Sequence, residues 1–202
     1  MDEARAVREY WFGALPLTPQ ALDRRMDFWF GPGAERHDED IRSRFGGLLE
    51  RAAAGELAGW ADGPRRRLSL IILLDQFPRH VFRGTTRAFE YDALALALAL
   101  TGMQSAADGA LDFSERLFFY MPLEHAESLE AQDESVAAFR RLLAEVPREL
   151  HAAFEGTLRY AEEHRSIVER FGRFPHRNAL LGRPSTPEEL EWLRGGGASF
   201  GQ

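Results

Sequence analysis

Leu68-Ser69-Leu70-Ile71-Ile72-Leu73-Leu74-Asp75-Gln76-Phe77-Pro78-Arg79-His80 is the stretch on which the fold turns. From Leu68 to Leu74 the run is apolar on every side, and a helix apolar all round is buried all round. A buried strand is the weaker reading, because the run flows into Asp75-Gln76 and lacks turn residues at its start. Pro64 opens this central helix, with Arg65, Arg66 and Arg67 in its first turn. Pro78 disfavours helical geometry at Phe77, so the helix is expected to stop near Gln76. That puts Asp75 in the last turn, on a buried face. A carboxylate there, at the negative helix end and away from water, demands a cation. Arg79 and Arg83 are near in sequence; Arg173 and Arg177 are distant candidates.

Outward from this helix the chain reads as helices throughout. Val7, Tyr10 and Trp11 have helical spacing and end at Gly13. Thr18 with Pro19 starts a second helix that runs to Phe28-Trp29-Phe30. Asp38 reads as the N-cap of a third, carrying Ile41, Phe45, Leu48, Leu49 and Ala52. After Gly84-Thr85-Thr86 a helix of about four turns packs through Phe89, Leu94, Ala97 and Leu98 and ends at Gly102. Asp112-Phe113-Ser114-Glu115 is a capping box. Pro122 is expected to start a new helix with Glu124 in its first turn. Val136, Phe139, Leu142 and Leu143 mark the next helix. Residues 149–171 form the longest, with His164 on its apolar face. Thr186-Pro187-Glu188-Glu189 starts the last. A flexible tail is expected over about 195–202, although Phe200 could dock. With no convincing strand, the expectation is one all-α domain over 1–202, made of about eight or nine helices in antiparallel pairs.

Bulk composition sets limits on function. The chain has 202 residues, 45% of them hydrophobic, with a net charge of -7. An ordinary core is expected, and no general nucleic-acid or anionic-membrane binding. All 25 basic residues are arginine, so a local anion site remains open. There is no cysteine, which removes disulfides, thiolate metal sites and a thiol nucleophile. The N-terminal residues lack a secretory pattern, and no apolar run approaches the roughly 20 residues needed to span a bilayer. A cytoplasmic protein is expected.

Arg170-Phe171-Gly172-Arg173-Phe174-Pro175-His176-Arg177-Asn178 mixes three arginines, a histidine and an asparagine with aromatics. It echoes Phe77-Pro78-Arg79-His80, so two similar elbows could face one another. These strings, with Phe28-Trp29-Phe30-Gly31, Tyr120-Met121-Pro122-Leu123-Glu124-His125 and Leu181-Gly182-Arg183, resemble the bacterial family catalogued as domain of unknown function 924. His80 and Ala126 depart from its pattern, so no role is carried onto either. The resemblance implies an irregular right-handed superhelix of the tetratricopeptide-like kind. It implies no activity.

Arg79, Glu124, His125, His176, Arg177 and Asn178 are expected to line a polar pocket, with Asp75 and Arg173 behind them. Arginine's planar fork suits carboxylates and phosphates, so the pocket would bind a small anionic metabolite or a protein segment. The same arginines could instead answer Asp75, Glu124 and Glu127 in a structural network, with Asp75 and Arg83 as ion-pairing members. Glu124, His125 and His176 could supply acid–base chemistry for a hydrolase or lyase acting on a phosphorylated or carboxylated metabolite. No histidine pair has the i, i+4 spacing of a helical metal motif, and no metal or cofactor is assigned. His164 reads as a hydrogen-bonded core histidine, and Trp11, Phe28, Trp29 and Phe30 as core.

Overall fold

The computed structural model describes residues 2–198 and Phe200. Among them are ten α-helices and no strand. The helices are α1 Glu3–Phe12, α2 Pro19–Phe30, α3 Asp38–Ala53, α4 Pro64–Ile71, α5 Phe77–Val81, α6 Asp92–Gln104, α7 Phe113–Glu124, α8 Leu129–Glu145, α9 His151–Phe171 and α10 Pro187–Arg194. A π turn, Ile72–Gln76, joins α4 to α5, so those two form one continuous rod. None of these helices is long and apolar enough to cross a membrane.

The α4–π–α5 rod lies at the centre, as the apolar run from Leu68 to Leu74 within it demands. α1 and α6 pack on α4, α3 packs on α5, and α7 touches both α4 and the π turn. Every residue from Leu68 to Arg79 except Arg79 itself is buried. α7, α8 and α9 then pack in succession, and α8 against α9 is the most extensive pairing. The main core joins Trp11, Phe12, Trp29, Phe77 and Phe118. Their rings meet edge to face, with Trp29 and Phe118 centroids 4.6 Å apart and Trp11 and Phe118 5.4 Å apart. Such pairs add about 0.5–1.5 kcal/mol each beyond area burial. A satellite cluster of Ile167, Val168 and Phe174 packs with Phe171, Trp192 and Phe200 at the C-terminal end.

Helix starts follow the sequence closely. Thr18 accepts from the Ala21 amide, and both Asp112–Glu115 and Thr186–Glu189 form full capping boxes. Asp38, however, is the first helical residue of α3 rather than its cap, and its carboxylate serves His80 and Arg83 instead.

Three expectations about helix course need correction. The central helix does not stop at Gln76. The Phe77 amide donates to the Ile72 carbonyl, five residues back, and this wider turn makes room for the Pro78 ring, which would otherwise clash with the preceding turn. Pro122 does not start a helix but sits inside α7. Burying Leu117 through Leu123 outweighs the roughly 3 kcal/mol an internal proline costs. Glu124 consequently ends α7, at its negative pole. In α6 the inward face is Ala95, Ala99 and Gly102, while Leu94 is 49% exposed. Close approach to α4 and α7 selects the small side chains; a Cβ on Gly102 would collide with the Phe119 ring and the Arg67 stem.

Of the expected flexible tail, Ser199, Gly201 and Gln202 lie outside the described residues. Phe200 docks: its ring stacks on His164 with centroids 3.6 Å apart.

Candidate functional site

A cavity of about 860 Å³ opens between the end of α2, the π turn with α5, the C-terminal half of α7, and α9. Trp29, Phe30, Leu117, Met121 and Phe139 form apolar wall; Gln76, Arg79, His80, Arg83, Glu124, His125 and His164 bring polar groups to it. Phe30, expected in the core, is 48% exposed and faces this space.

The polar floor begins at the π turn, which carries Asp75 and Gln76 inward. Asp75 is fully buried. Its Oδ1 accepts from His125 Nδ1 at 2.8 Å and lies 3.7 Å from Arg79 Nη1, and its Oδ2 accepts from the Gln76 amide. Burial alone would raise this carboxyl; His125, Arg79 and Gln76 reverse that and hold it at about 2. Asp75 is thus an anion whose demand is met chiefly by Arg79 and His125. Arg83, a candidate for the task, binds Asp38 at 2.6 and 2.9 Å, beside the His80–Asp38 bond of 2.8 Å.

The other titratable groups of the floor are driven to their neutral forms. Burial, followed by the charge of Asp75, pushes Glu124 up to about 8. The end of the α7 dipole works in the same direction. Burial, followed by the charge of Arg79, lowers His125 and outweighs the pull of Asp75. Burial pushes His164 down to about 3. Its Nδ1 donates to the Tyr160 carbonyl at 2.8 Å and stands 3.3 Å from Glu124 Oε1. A neutral His125 donating from Nδ1 to Asp75 keeps Nε2 as its unprotonated nitrogen. Glu124 is then a carboxylic acid beside a fixed imidazole base.

The arginines of the two elbows do face one another, with Asp92 of α6 between them. Arg79 binds Asp92 through both carboxylate oxygens at 2.9 and 3.1 Å. Arg177 Nη1 lies 3.6 Å from Asp92 and donates to the His125 carbonyl at 3.0 Å. Its guanidinium sits between the Phe89 and Phe174 rings, at 4.7 and 4.5 Å. Burial, then Arg79, lowers Arg177 to about 10, so it stays cationic at neutral pH.

The rest of the C-terminal elbow forms a clamp. Gly172, at φ 70°, closes α9 in the left-handed conformation. Arg173 grips Glu189 at 2.7 and 2.9 Å, and the buried Asn178 amide donates to Glu189 and Ser185. Arg183 binds Asn178 and both oxygens of Glu127, which also accepts the Phe174 amide. His176 is half-buried, its ring 5.6 Å from Phe174.

Of the expected pocket residues, Arg79, Glu124 and His125 line the cavity together. Arg173, His176, Arg177 and Asn178 do not, and Arg177 stands directly behind His125. Sequence reasoning missed Gln76, His164, Phe30 and Phe200 as lining residues. For His164 the signal was present, since it lay on the apolar face of the longest helix; the core reading holds for its burial and its bond to Tyr160, yet its ring also reaches the cavity. Among the described residues no group of three or more His, Cys, Asp or Glu is arranged to hold a metal ion.

Comparison with known proteins agrees with this architecture. A protein of unknown function, ATU0120 from Agrobacterium tumefaciens, has a solved structure similar to the present one, with a TM-score of 0.80 and 37% sequence identity. The match covers 96% of this chain and 97% of that one. No curated protein matches the chain. Residues 7–197 match the family model described as a bacterial protein of unknown function, DUF924. With nearly the whole chain matched, this protein belongs to the DUF924 family of bacterial proteins.

Proposed function

We propose that the cavity binds a small molecule with an apolar body and an anionic or hydrogen-bonding head. The observation that carries this is one concavity with both kinds of lining: an apolar wall of Trp29, Phe30, Leu117, Met121 and Phe139, and polar groups brought by the π turn, α5, the end of α7 and α9. Ligand sites are typically mostly apolar concavities of this size with a few convergent polar groups. Arg79 and Arg83 bring positive charge to the cavity lining, each already held in place by a carboxylate, Asp92 and Asp38 respectively. A protein segment is the less favoured occupant, because the polar groups lie at a cavity floor rather than along an open groove. Hydrolase or lyase chemistry is the second reading, favoured by the contact of Asp75 with His125 next to Glu124. We take the chain as one folding unit of tetratricopeptide-like, right-handed superhelical form in the cytoplasm, which the successive α7–α8–α9 pairing and the acidic, cysteine-free composition support.

A thermal-shift screen with carboxylated and phosphorylated amphiphiles, octanoate and phenyl phosphate among them, tests the reading. A ligand at about 100 times its Kd adds about 2.7 kcal/mol and is readily seen. Gly156 lines the cavity, and a Cβ there meets only Arg159 Nη2, at 3.8 Å. Gly156→Phe is therefore expected to narrow the cavity and weaken the shift without a backbone clash. Shifts that survive Gly156→Phe unchanged, or a screen in which no amphiphile binds, refute the reading.

A further inference from the structure

The cavity floor holds more than recognition requires. A ligand head could be bound by Arg79 and Gln76 alone. Behind them lie a fully buried carboxylate, an imidazole bonded to it through one nitrogen, and a second carboxyl adjacent in sequence and lining the same space. The π turn is what brings Asp75 to His125; such turns recur at functional sites because they re-aim side chains at the expense of regular bonding.

We propose that His125 and Glu124 form a proton-transfer site for a small carbonyl compound held in the cavity, with His125 Nε2 as the base, the Glu124 carboxyl as the acid, and Asp75 as the positioning residue of the His125 ring. The proposal rests on the binding reading and names its substrate class. The Asp75 bond at 2.8 Å fixes Nδ1 as the donor nitrogen and leaves Nε2 as the lone-pair nitrogen of a ring that lines the cavity. The Arg177 bond to the His125 carbonyl fixes the backbone behind that ring. Glu124 has His164 Nδ1 near Oε1, at 3.3 Å, which leaves Oε2 to carry the proton. The neutral state that burial imposes on both groups is the one the roles need, an acid that holds its proton and a base that lacks one.

An acid and a base with no further reagent suffice for enolisation. The C–H bond next to the carbonyl breaks, and its proton goes to Nε2. The freed pair forms the C=C bond, the carbonyl π pair moves to oxygen, and the Glu124 proton completes the O–H. An enol, an imidazolium and a carboxylate result. The enol hydroxyl returns its proton to Glu124, and His125 returns its own to the same α-carbon, on either face, which resets both groups and exchanges or inverts that centre with no oxidant or reductant consumed. The apolar wall of Leu117, Met121 and Phe139 suits the body of such a substrate.

Three measurements on the full chain test this. Nitrogen-15 histidine spectra at neutral pH are expected to show His125 protonated at Nδ1 and bare at Nε2; an Nε2–H tautomer or a charged ring overturns the proposal. 2-Bromoacetophenone, which places an electrophilic carbon beside a carbonyl, is expected to alkylate His125 at least about tenfold faster than His37 or His151, because its nitrogen is oriented and the reagent is held. Glu124→Gln is expected to slow that labelling without changing the tautomer. Asp75→Asn is expected to invert the tautomer and slow labelling about tenfold or more, a spectroscopic change that loss of packing alone would not produce. Should Asp75→Asn fail to fold, the wild-type spectrum and Glu124→Gln still decide. Acetophenone, the unreactive analogue, separates the two readings. If it binds but its bromo derivative labels all histidines evenly, proton transfer falls and binding stands. If neither it nor the amphiphiles bind, both fall.

Discussion

Glu124 should make this protein less stable as pH rises through the neutral range, and Glu124→Gln should remove that dependence. In the folded chain its carboxyl is pushed up to about 8 from an ordinary value of 4.5, first by burial and then by Asp75. Between those values the folded state holds one proton more than the unfolded state. Stability therefore falls as pH rises across the window and levels off above about 8. From pH 6.5 to 8 the window is about 1.5 pH units wide, at about 1.36 kcal/mol each, so the loss is about 2 kcal/mol. The groups that face Glu124 are Asp75, His125 and His164. Asp75 stays ionised throughout. The two histidines are lowered, so their contribution rises with pH and is complete shortly above the value near 6.5 of the unfolded chain. Glu124→Gln keeps both histidines and the shape of the neutral acid, so subtracting its profile from that of the wild type isolates Glu124. Urea denaturation of both proteins from pH 6.5 to 9.5 is the assay. The wild type is expected to lose about 2 kcal/mol relative to the variant, or about 4–8 °C in melting temperature for a chain of this size. Profiles that stay parallel within about 0.5 kcal/mol would show that Glu124 ionises normally and refute the neutral-floor argument.

Two further outcomes test the frame around the floor. Gly102→Ala should destabilise by about 1–3 kcal/mol in urea, even though alanine favours helix, because its methyl meets Phe119 and Arg67; a variant as stable as wild type would mean that α6 does not approach α4 and α7 so closely. Asp92→Asn should cost about 3–5 kcal/mol, because Arg79 and Arg177 lose the carboxylate they share, and a loss under about 1 kcal/mol in the same assay would show that the two arginines find other partners.

Much of the frame was legible because its signals are local. Thr18, Asp112 and Thr186 mark helix starts through bonds made within three residues, and all three caps are present. The all-round apolar run from Leu68 predicts a buried helix, and the run is buried. At the two prolines the local rules fail for a shared reason. Pro78 and Pro122 break helices by local rules, but both sit where surrounding core holds the backbone helical, one through a π turn and one directly. On α6 the alternation of alanine and leucine left the inward face undetermined by pattern, and the approach of α4 and α7 selected the small side.

The site divides along the same line. From the sequence alone a buried Asp75 had either to stay protonated, as Glu124 does, or to meet a cation, and it meets Arg79. The sequence likewise determined an all-helical chain, because helical periodicity and caps are properties of neighbouring residues. Only the tertiary structure decided which charges meet. It sent Arg83 to Asp38, Arg173 to Glu189 and Arg177 behind His125, and left Arg79, Glu124 and His125 on the cavity with His164. Partners such as Asp75 and His125 stand 50 residues apart in the chain and 2.8 Å apart in space. No local pattern encodes such a pairing, because it depends on how whole helices pack, and packing also sets the burial that keeps Glu124 and His125 neutral.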